Sequence, residues 1–216
     1  MNFKNKRILI TAGPTWVPID NVRVISNIAT GETGILLANS LVEKGARVTL
    51  VLGPASACCV DKRIRVVPFK FFDELKIILE QEFRKTQYDA VIHTAAVSDY
   101  RPKRIGEKKI SSGLKSFNLS LRPTPKIIDA FREKQPQAFI VGFKFEPYAT
   151  KAGLLKEANK LMRRSGIDIV VANTISHTGC YQAYLLGQRV TLALLPNKSA
   201  LVRQLVNLLE AKLCRK

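Results

Sequence analysis

The residues of this chain that are best suited to chemistry are polar and basic side chains near the ends of predicted strands. The set comprises Asn27, Asp99, Lys108, Lys109, Lys160 and Arg164. Such groups suit electrostatic catalysis, in which cations and oriented hydrogen-bond donors stabilise negative charge as it develops. Reactions at nucleotide phosphates need this positive charge, usually together with Mg²⁺, more than they need a protein nucleophile. The side chains therefore favour chemistry at a phosphate group.

Covalent catalysis has less support in the sequence. Neither His93 nor His177 has a nearby G-x-S-x-G or comparable nucleophile motif. His93 lies within an apolar strand and is predicted to be a hydrogen-bonded core residue rather than a base. The adjacent Cys58 and Cys59 are predicted to be buried, because nothing near them in the sequence would lower the pKa of a thiol. The four cysteines show no C-x-x-C spacing, so a structural zinc site is not expected.

The chain carries a large excess of positive charge. Thirty-five Lys and Arg residues against seventeen Asp and Glu residues give a formal net charge of +18, which indicates an anionic partner or substrate. The basic residues are spread along the chain with few aromatic residues near them, whereas nucleic-acid binders concentrate them in a stripe or an arm. A phosphorylated small molecule bound together with a nucleotide fits this charge equally well. A solvated surface without a partner is the remaining alternative.

The loop at residues 11–34 is the segment around which the predicted elements are arranged. It follows a predicted strand at residues 7–10. Apolar residues at helical spacing come after it, at Ile35, Ala38, Leu41 and Val42. In an open α/β sheet such a loop lies at the carboxyl end of its strand, where ligands bind, and the next helix offers free N–H groups to phosphate. The loop matches neither G-x-G-x-x-G nor the P-loop, so its glycines alone do not indicate a dinucleotide or Walker-type site. The alternative is a connecting loop whose glycines only permit tight turns.

Strand and helix patterns alternate along the rest of the chain. Further strands are predicted at residues 47–52, 65–69, 88–93, 138–145, 168–173 and 189–195. Longer helices are predicted after Phe72, at residues 150–165 and from Leu201. A short helix is predicted with Thr124 as its N-cap and Pro125 at its first position. The alternation predicts a single α/β domain over residues 1–216, with a Rossmann-like, mostly parallel sheet and helices on both faces.

Residues 101–123 depart from this alternation. Lysine-rich and glycine-containing loops surround residues 115–121, where Phe117, Leu119 and Leu121 alternate with polar positions as in a half-exposed strand. We therefore expect a basic flap or hairpin in this segment. Its exposure and irregularity favour a homodimer in which the flap packs against a second copy of the chain.

Seven motifs occur in a fixed order along nearly the whole chain. They are ITAGPTWVPIDNVRVISN at 10–27, G-x-x-G at 31–34, TAAVSDYRPK at 94–103, KI at 109–110, TP at 124–125, VGFKFE at 141–146 and DIVVAN at 168–173. Together they resemble the phosphopantothenate–cysteine ligases of coenzyme A biosynthesis. The resemblance implies a Rossmann-like homodimer that ligates L-cysteine to 4′-phosphopantothenate through an acyl-nucleotide. It also implies Mg²⁺ and either CTP, as in bacterial members, or ATP, which eukaryotic members prefer; the bacterial style of the motifs favours CTP.

The same resemblance implies roles for individual residues. Asn27 corresponds to the catalytic asparagine that the family needs to convert the acyl-nucleotide, and Lys109 to its nucleotide-binding lysine, with Lys108 as a rival for that position. The implied nucleotide-binding residues are Gly13, Ala96, Asp99, Lys109, Thr124, Pro125, Phe143, Lys160 and Arg164. The implied substrate-binding residues are Asn27, Thr30 and Gly31, and no metal ligand is assigned. The alternative for Asn27 is a loop residue that only satisfies its own turn.

The sequence departs from the family's pattern at three places, the first being Ser111 and Ser112, where two lysines often follow the nucleotide-binding lysine. Glu32 stands where a glycine-containing turn usually carries a lysine. An acid suits a helix start electrostatically, but it would repel a phosphate there. Lys160 and Arg164 match the family's basic pair only with a one-residue gap. Without that gap the pair maps onto Leu161 and Ser165.

Expectations about location and partners complete this interpretation. Most bacterial members also carry a flavin-dependent decarboxylase domain, and this chain begins at the ligase strand, so we expect a separate decarboxylase. The first residues lack a signal-peptide pattern, and no apolar run approaches the roughly 20 residues of a membrane span, so a cytoplasmic location without membrane contact is expected. Two other classes remain open. The sheet alone suggests an NAD(P)-dependent reductase, although the glycine fingerprint and a Tyr-x-x-x-Lys pair are missing, and the charge alone suggests a nucleic-acid-binding protein, which is less favoured.

Overall fold

The computed structural model describes residues 3–55, 60–106, 108–187 and 194–214. Its strands are β1 (Arg7–Ala12), β2 (Trp16–Pro18), β3 (Val24–Ser26), β4 (Arg47–Leu52), β5 (Arg65–Pro68), β6 (Ala90–His93), β7 (Tyr100–Pro102), β8 (Leu121–Pro123), β9 (Phe139–Phe145), β10 (Ile169–Ile175) and β11 (Tyr181–Gly187). Its helices are α1 (Glu32–Glu43), α2 (Phe72–Lys85), α3 (Phe131–Lys134), α4 (Lys151–Ser165) and α5 (Lys198–Leu213), with a 3₁₀ turn at Ile127–Ala130.

The main sheet has the strand order β5-β4-β1-β6-β9-β10-β11. Its neighbouring strands are parallel, apart from β10 and β11, which are antiparallel. The chain builds outward from β1 through β4 to β5, and it then returns to the other side of β1 with β6. The direction of building therefore reverses between β1 and β6, and open α/β sheets bind ligands at this switch point, outside the carboxyl ends of the strands. The predicted Rossmann-like, mostly parallel sheet is confirmed.

Helices cover both faces of the sheet, as predicted. On one face, α1 and α5 bury Leu41 and Leu205 against the strands. On the other face, α2, α3 and α4 bury Phe131 and Leu154. Successive strand residues point to opposite faces, so the central strands are apolar on both sides, as is typical of parallel sheets. Each fully buried Leu or Phe side chain contributes roughly 1.5–3 kcal/mol, and the two cores together hold the sheet edge at which the loops converge.

The ends of α4 explain why the predicted helix at residues 150–165 forms. Thr150 Oγ1 accepts a hydrogen bond of 3.2 Å from the backbone N–H of Gly153, which satisfies one of the free donors of the first turn. Gly166 ends the helix with a φ of 59°, a left-handed conformation that favours glycine. No helix in the described ranges is long and apolar enough to cross a bilayer.

Two short hairpins lie outside the main sheet. The loop at residues 11–34 contains the antiparallel pair β2–β3, which the sequence did not predict. The predicted flap contains the antiparallel pair β7–β8, in which Tyr100 pairs with Pro123, so the expectation of a hairpin is confirmed. The predicted strand at residues 115–121 is wrong, because the strand begins only at Leu121. Three-residue strands are too short to show a reliable two-residue period, and this is why the patterns missed them.

The predicted N-cap at Thr124 is also wrong. Its hydroxyl donates a hydrogen bond of 2.6 Å to the backbone carbonyl of Ser98 and therefore caps no helix. The chain instead forms the 3₁₀ turn at Ile127–Ala130, whose N-cap residue is Lys126. Thr124 thus joins the flap to the loop that follows β6.

The last edge of the sheet differs from the prediction. β11, which was not predicted, runs antiparallel to β10. Residues 189–193 of the strand predicted at 189–195 lie outside the described residues. Leu195 exchanges backbone hydrogen bonds of 2.9 and 2.8 Å with Ala183, so the end of that segment does pair with the sheet. The predicted burial of Cys58 and Cys59 also concerns residues outside the described ranges.

Candidate functional site

The loops that follow β1 and β6 lie side by side at the switch point. Ala96 donates its backbone N–H to the carbonyl of Gly13 at 3.0 Å, and Thr15 donates to the carbonyl of Ala96 at 3.2 Å. Gly13 has a φ of 81°, and a Cβ atom there would lie 3.2 Å from the backbone of Gly53, just after β4, so a larger residue would be strained and would press the loop after β1 against the end of β4. The predicted nucleotide-binding residues Gly13 and Ala96 are thus in direct backbone contact.

A buried hydroxyl network extends this contact toward the flap. The backbone N–H of Ser98 donates to Thr15 Oγ1 at 2.9 Å. The carbonyl of Ser98 accepts the Thr124 hydroxyl, and the carbonyl of Asp99 accepts the backbone N–H of Thr124 at 2.9 Å. Because Thr15, Ser98 and Thr124 are all buried, the network holds Asp99 at a defined place on the rim.

A cleft of about 260 Å³ opens at this edge, and we call it the carboxyl-edge cleft. Six residues predicted to bind the nucleotide line it together: Asp99, Thr124, Pro125, Phe143, Lys160 and Arg164. Its lining also includes Lys126, Lys144 and Glu157, which the sequence interpretation missed. Lys126 immediately follows the Thr-Pro motif, and the other two lie on β9 and α4, so a search for charges beside the motifs would have found them.

The cations of the carboxyl-edge cleft are paired with carboxylates. Lys126 forms an ion pair with Asp99. The other pairs are Lys160 with Glu157 at 2.6 Å, Arg164 with Asp129 at 3.0 Å, and Lys144 with Glu146 at 2.7 Å. Exposed pairs of this kind contribute only about 0–1 kcal/mol. An incoming phosphate can therefore replace the carboxylates at small cost.

His93 forms part of the floor of the cleft. It is buried, it shares a hydrogen bond of 2.7 Å between Nδ1 and the Oγ1 of Thr11, and its ring lies edge-on to Phe131 with 5.1 Å between centroids. Burial lowers the pKa of His93 to about 4, because a charged imidazole is poorly solvated there. The prediction of a hydrogen-bonded core histidine is confirmed, and the side chain is neutral near pH 7.

Asn27 lies beside the carboxyl-edge cleft rather than in its lining. Its amide nitrogen donates to the backbone carbonyls of Ala96 at 3.1 Å and Val97 at 3.2 Å. The side chain therefore links the β2–β3 hairpin to the loop after β6. The alternative in which Asn27 only satisfies its own turn does not describe these contacts.

Asp20 fastens the flap to the β2–β3 hairpin. Its carboxylate accepts backbone N–H groups from Val22 and Arg23, each at 2.8 Å, and from Ile110 at 2.9 Å. The guanidinium of Arg23 donates to Asp20 at 2.6 Å and to the carbonyl of Ile110 at 3.1 and 3.2 Å. The N–H of Ile110 is the main cause that lowers the pKa of Asp20 to about 2. Asp20 and Arg23 thereby position Lys109, and the Asp-x-x-Arg spacing was the missed signal.

The remaining predicted residues lie outside the lining of the cleft. Lys108 and Lys109 are exposed on the flap. Thr30 and Gly31 precede α1, where Gly31 is the N-cap residue with a φ of 76° and without a side-chain cap. Glu32 forms an ion pair with Lys198 at the start of α5, so its charge is neutralised within the protein.

Within the described part of the chain, no group of three or more His, Cys, Asp or Glu residues could hold a metal ion. The carboxylates that line the carboxyl-edge cleft are Asp99 and Glu157. Mg²⁺ usually takes one or two protein carboxylates, with substrate phosphates and water completing its shell. The residues present therefore fit a magnesium ion that arrives with a triphosphate, not a metal site built by the protein alone.

Comparisons with known proteins match most of the chain. The family described as "DNA/pantothenate metabolism flavoprotein C-terminal domain" matches residues 3–203. The coenzyme A biosynthesis bifunctional protein CoaBC of Thermococcus kodakarensis is 40% identical over 179 residues, which are 82% of this chain and 43% of that protein. The chain thus spans less than half the length of this relative.

Solved structures share the fold. The DNA/pantothenate metabolism flavoprotein from Streptococcus pneumoniae superimposes with a TM-score of 0.86 at 26% identity, covering 96% of this chain and 99% of that one. A Cab2 variant in complex with phosphopantothenate-cysteine has a TM-score of 0.78 at 20% identity, covering 97% of this chain and 86% of that one. The second likeness shows the fold alone.

Proposed function

We propose that this chain, which belongs to the DNA/pantothenate metabolism flavoprotein C-terminal domain family, is a phosphopantothenate–cysteine ligase that joins L-cysteine to 4′-phosphopantothenate. The cation-lined cleft at the carboxyl edge, together with the family match over residues 3–203, carries this proposal. The substrate carboxylate attacks the α-phosphorus of a nucleoside triphosphate, and pyrophosphate leaves. The amine of cysteine then attacks the acyl carbon of the mixed anhydride, and nucleoside monophosphate leaves.

The carboxyl-edge cleft binds the nucleotide in this proposal. The phosphates lie against Lys126, Lys160 and Arg164, and the base lies against Phe143. A charge-assisted hydrogen bond to phosphate contributes about 1.5–3 kcal/mol, more than the exposed ion pairs that it replaces. The triphosphate therefore displaces the paired carboxylates, and Asp99 and Glu157 become free to face other groups.

Those two carboxylates are the candidates to hold Mg²⁺ beside the triphosphate. Both line the carboxyl-edge cleft, and each is released from its lysine when a phosphate takes the place of the carboxylate in that ion pair. When bound, the metal neutralises phosphate charge. The protein's own contribution is to orient the nucleotide, with Phe143 on the base and the lysines on the phosphates.

Asn27 positions the second step. Its two amide hydrogens are used by the carbonyls of Ala96 and Val97, so its carbonyl oxygen is left as an acceptor. An acceptor suits an incoming amine, which carries N–H donors. Thr30 and Gly31 lie nearby in the chain, at the start of α1, where free backbone N–H groups offer a place for the phosphate of 4′-phosphopantothenate.

CTP is the proposed nucleotide, with ATP as the alternative. The preference for CTP rests on the bacterial style of the sequence motifs. The base is recognised largely by backbone groups, so the side chains do not distinguish CTP from ATP. Initial rates at equal concentrations of CTP and ATP test it. A faster rate with ATP would overturn the preference and leave the reaction class unchanged.

A homodimer is part of the same proposal. Val22 on the β2–β3 hairpin is 64% exposed, and Ile105, Leu114 and Phe117 on the flap are 55%, 57% and 51% exposed. The two hairpins are adjacent through β2 and β7, and exposed apolar side chains that come together in one surface mark an interface. Light scattering should give about twice the chain mass of 24.1 kDa. A single-chain mass at micromolar concentrations would contradict the dimer.

Pyrophosphate release tests the reaction itself. With CTP and Mg²⁺ present, release should require 4′-phosphopantothenate, and product formation should also require cysteine. Release that is indifferent to 4′-phosphopantothenate would contradict the ligase. Oxidation or reduction of a nicotinamide cofactor would support the reductase alternative, and neither activity, with tight DNA binding, would support the nucleic-acid-binding alternative.

A further inference from the structure

A second cleft lies at the opposite edge of the sheet, where the strands begin. It has a volume of about 480 Å³, and its lining includes Arg7, residues 45–49 with Arg47 among them, Arg63, Arg65 and Tyr88. We call it the amino-edge cleft. Strands of six residues at about 3.3 Å per residue separate it from the carboxyl-edge cleft by roughly 20 Å. A ligand in the proposed active site does not reach it.

The sheet register brings the arginines together. Arg7 pairs with Arg47 on the neighbouring parallel strand, and Thr49 pairs with Arg65 on the next one. Paired residues, and residues two apart on one strand, point to the same face. Arg7 and Arg47 therefore lie side by side on one face, on strands about 4.8 Å apart, and Arg65 lies on the same face two residues farther along the sheet. Like charges at directly opposite positions destabilise a sheet, and an anion bound between Arg7 and Arg47 would offset that cost.

The four arginines differ in how they are neutralised. Arg63 pairs with Asp61 through hydrogen bonds of 2.9 and 2.6 Å. Arg65 pairs with Glu82 Oε2, the same carboxylate oxygen that accepts the hydroxyl of Tyr88. Among the described residues no carboxylate pairs with the guanidinium of Arg7 or Arg47.

Asp89, which precedes β6 and lies beside Arg7, already has other hydrogen-bond partners. Asp89 accepts the backbone N–H of Arg7 at 2.9 Å and the ammonium of Lys6 at 3.1 Å. The two unpaired guanidiniums therefore face a concave space that holds no counter-ion from the described chain.

We propose that the amino-edge cleft binds the phosphate group of a small phosphorylated molecule through Arg7 and Arg47. Guanidinium forks match phosphate oxygens in a bidentate geometry. Arg63 and Arg65, each already paired, form the walls rather than the anchor. The volume is in the range of small-molecule sites, and Tyr88 is buried, so the cleft lacks the exposed aromatic side chains on which nucleic-acid bases stack.

Residue-resolved NMR with inorganic pyrophosphate tests this site on the full chain at constant ionic strength. Saturable shifts are expected for the backbone amides of Gly45, Ala46 and Val48. The double substitution Arg7→Gln and Arg47→Gln should raise the pyrophosphate concentration at which the shifts are half complete by at least about tenfold, as expected when charge-assisted hydrogen bonds are lost. The control pair Arg163→Gln and Arg203→Gln removes the same charge elsewhere and should leave the shifts unchanged.

Three outcomes would overturn the proposal. They are shifts that chloride reproduces at equal ionic strength, shifts that survive the double substitution, and shifts produced by a DNA duplex but not by pyrophosphate. Arg7→Lys with Arg47→Lys keeps the charge but removes the forks, so it should weaken binding by a smaller factor and serves if the glutamine variant does not fold. Failure here is separable from failure of the ligase, because pyrophosphate release in the glutamine variant should equal that of the unmodified protein.

Discussion

The two sides of the carboxyl edge differ in how their cations are neutralised. In the carboxyl-edge cleft, Lys126, Lys160 and Arg164 each pair with a carboxylate. On the flap, Lys109 is exposed, and the carboxylate of Asp20 beside it pairs with Arg23 instead. A paired cation loses its ion pair when a phosphate binds, whereas Lys109, which no carboxylate of the described residues pairs with, gains the whole new interaction. The cleft is therefore suited to binding the nucleotide, and the flap to stabilising charge that develops during the reaction.

Removal of Lys109 should have the largest effect. Lys109→Gln is expected to lower kcat/KM about 100-fold to 1,000-fold, in the range of other groups that stabilise a transition-state charge. Lys108→Gln, with the same change one residue earlier, should cost only a few-fold. Steady-state kinetics of both variants provide the comparison. The opposite order would mean that Lys108 is the phosphate contact.

Acid should destabilise the protein through His93 on the cleft side and leave the flap anchor intact. Its pKa in the folded protein, about 4, lies below its unfolded value of about 6.5, so the unfolded chain binds more protons between these values. Stability is therefore lost as the pH falls from about 6.5 to about 4, by about 3 kcal/mol for this group. Urea unfolding at pH 7 and pH 4 should show this loss, and His93→Gln should lack it.

The control for that experiment is His177→Gln, which changes an exposed ring stacked on Tyr148. It should keep the acid-induced loss of stability. An unchanged loss in His93→Gln would show that the floor of the cleft does not respond to pH as described.

The flap anchor should resist the same acid. The N–H of Ile110 is the largest cause that lowers the pKa of Asp20 to about 2, so its contribution is present above about pH 4 and is lost only as the pH falls through about 2. Asp20→Asn should release Ile110 and misplace Lys109, lowering kcat between about tenfold and 100-fold. Asp61→Asn removes another carboxylate whose pKa is lowered to about 2 and should leave kcat unchanged. Equal losses in both variants would contradict the role of Asp20.

The smallest effect is expected in the cleft. Arg164→Gln should weaken nucleotide binding about tenfold, because the charge-assisted bond to phosphate is partly offset by the lost pair with Asp129. Arg163→Gln alters the preceding residue of α4, which does not line the cleft. Calorimetric titration with CTP compares the two. A larger loss in Arg163→Gln would place the nucleotide elsewhere.

The sequence predicted the elements whose patterns are long enough to show a period. The parallel strands and α4 are such cases, because apolar runs and helical spacing extend over many residues. β11 was missed because its apolar run is short, only the four buried residues from Ala183 to Leu186 between Gln182 and Gly187, and a run of that length is not specific to a strand. Thr124 was misassigned because a Thr-Pro pair fits both a helix cap and a loop, and only its contact with Ser98 decides between them.

The same distinction applies to the site. The residues on regular elements, such as Phe143 and Lys160, could be placed from the motifs. The Asp-x-x-Arg spacing marks Asp20 as a candidate, but its role could not be predicted, because that role depends on Ile110, 90 residues later in the chain. Lys126 could be found as a charge beside the Thr-Pro motif, but its ion pair with Asp99 across the flap could not be predicted. Contacts between distant segments decide which exposed charges are neutralised, and local patterns carry no information about them.

The fate of the acyl-nucleotide in Asn27→Ala tests the account most directly. After rapid quench of a reaction with CTP, 4′-phosphopantothenate and cysteine, mass spectrometry should find phosphopantothenoyl-cytidylate accumulated on this variant, because activation depends on the cleft and transfer to cysteine depends on Asn27. Thermal unfolding should show a folded protein. Normal formation of the cysteine product by a folded Asn27→Ala protein, without accumulated intermediate, would contradict the claim that activation in the cleft and transfer at Asn27 are successive steps that depend on different residues.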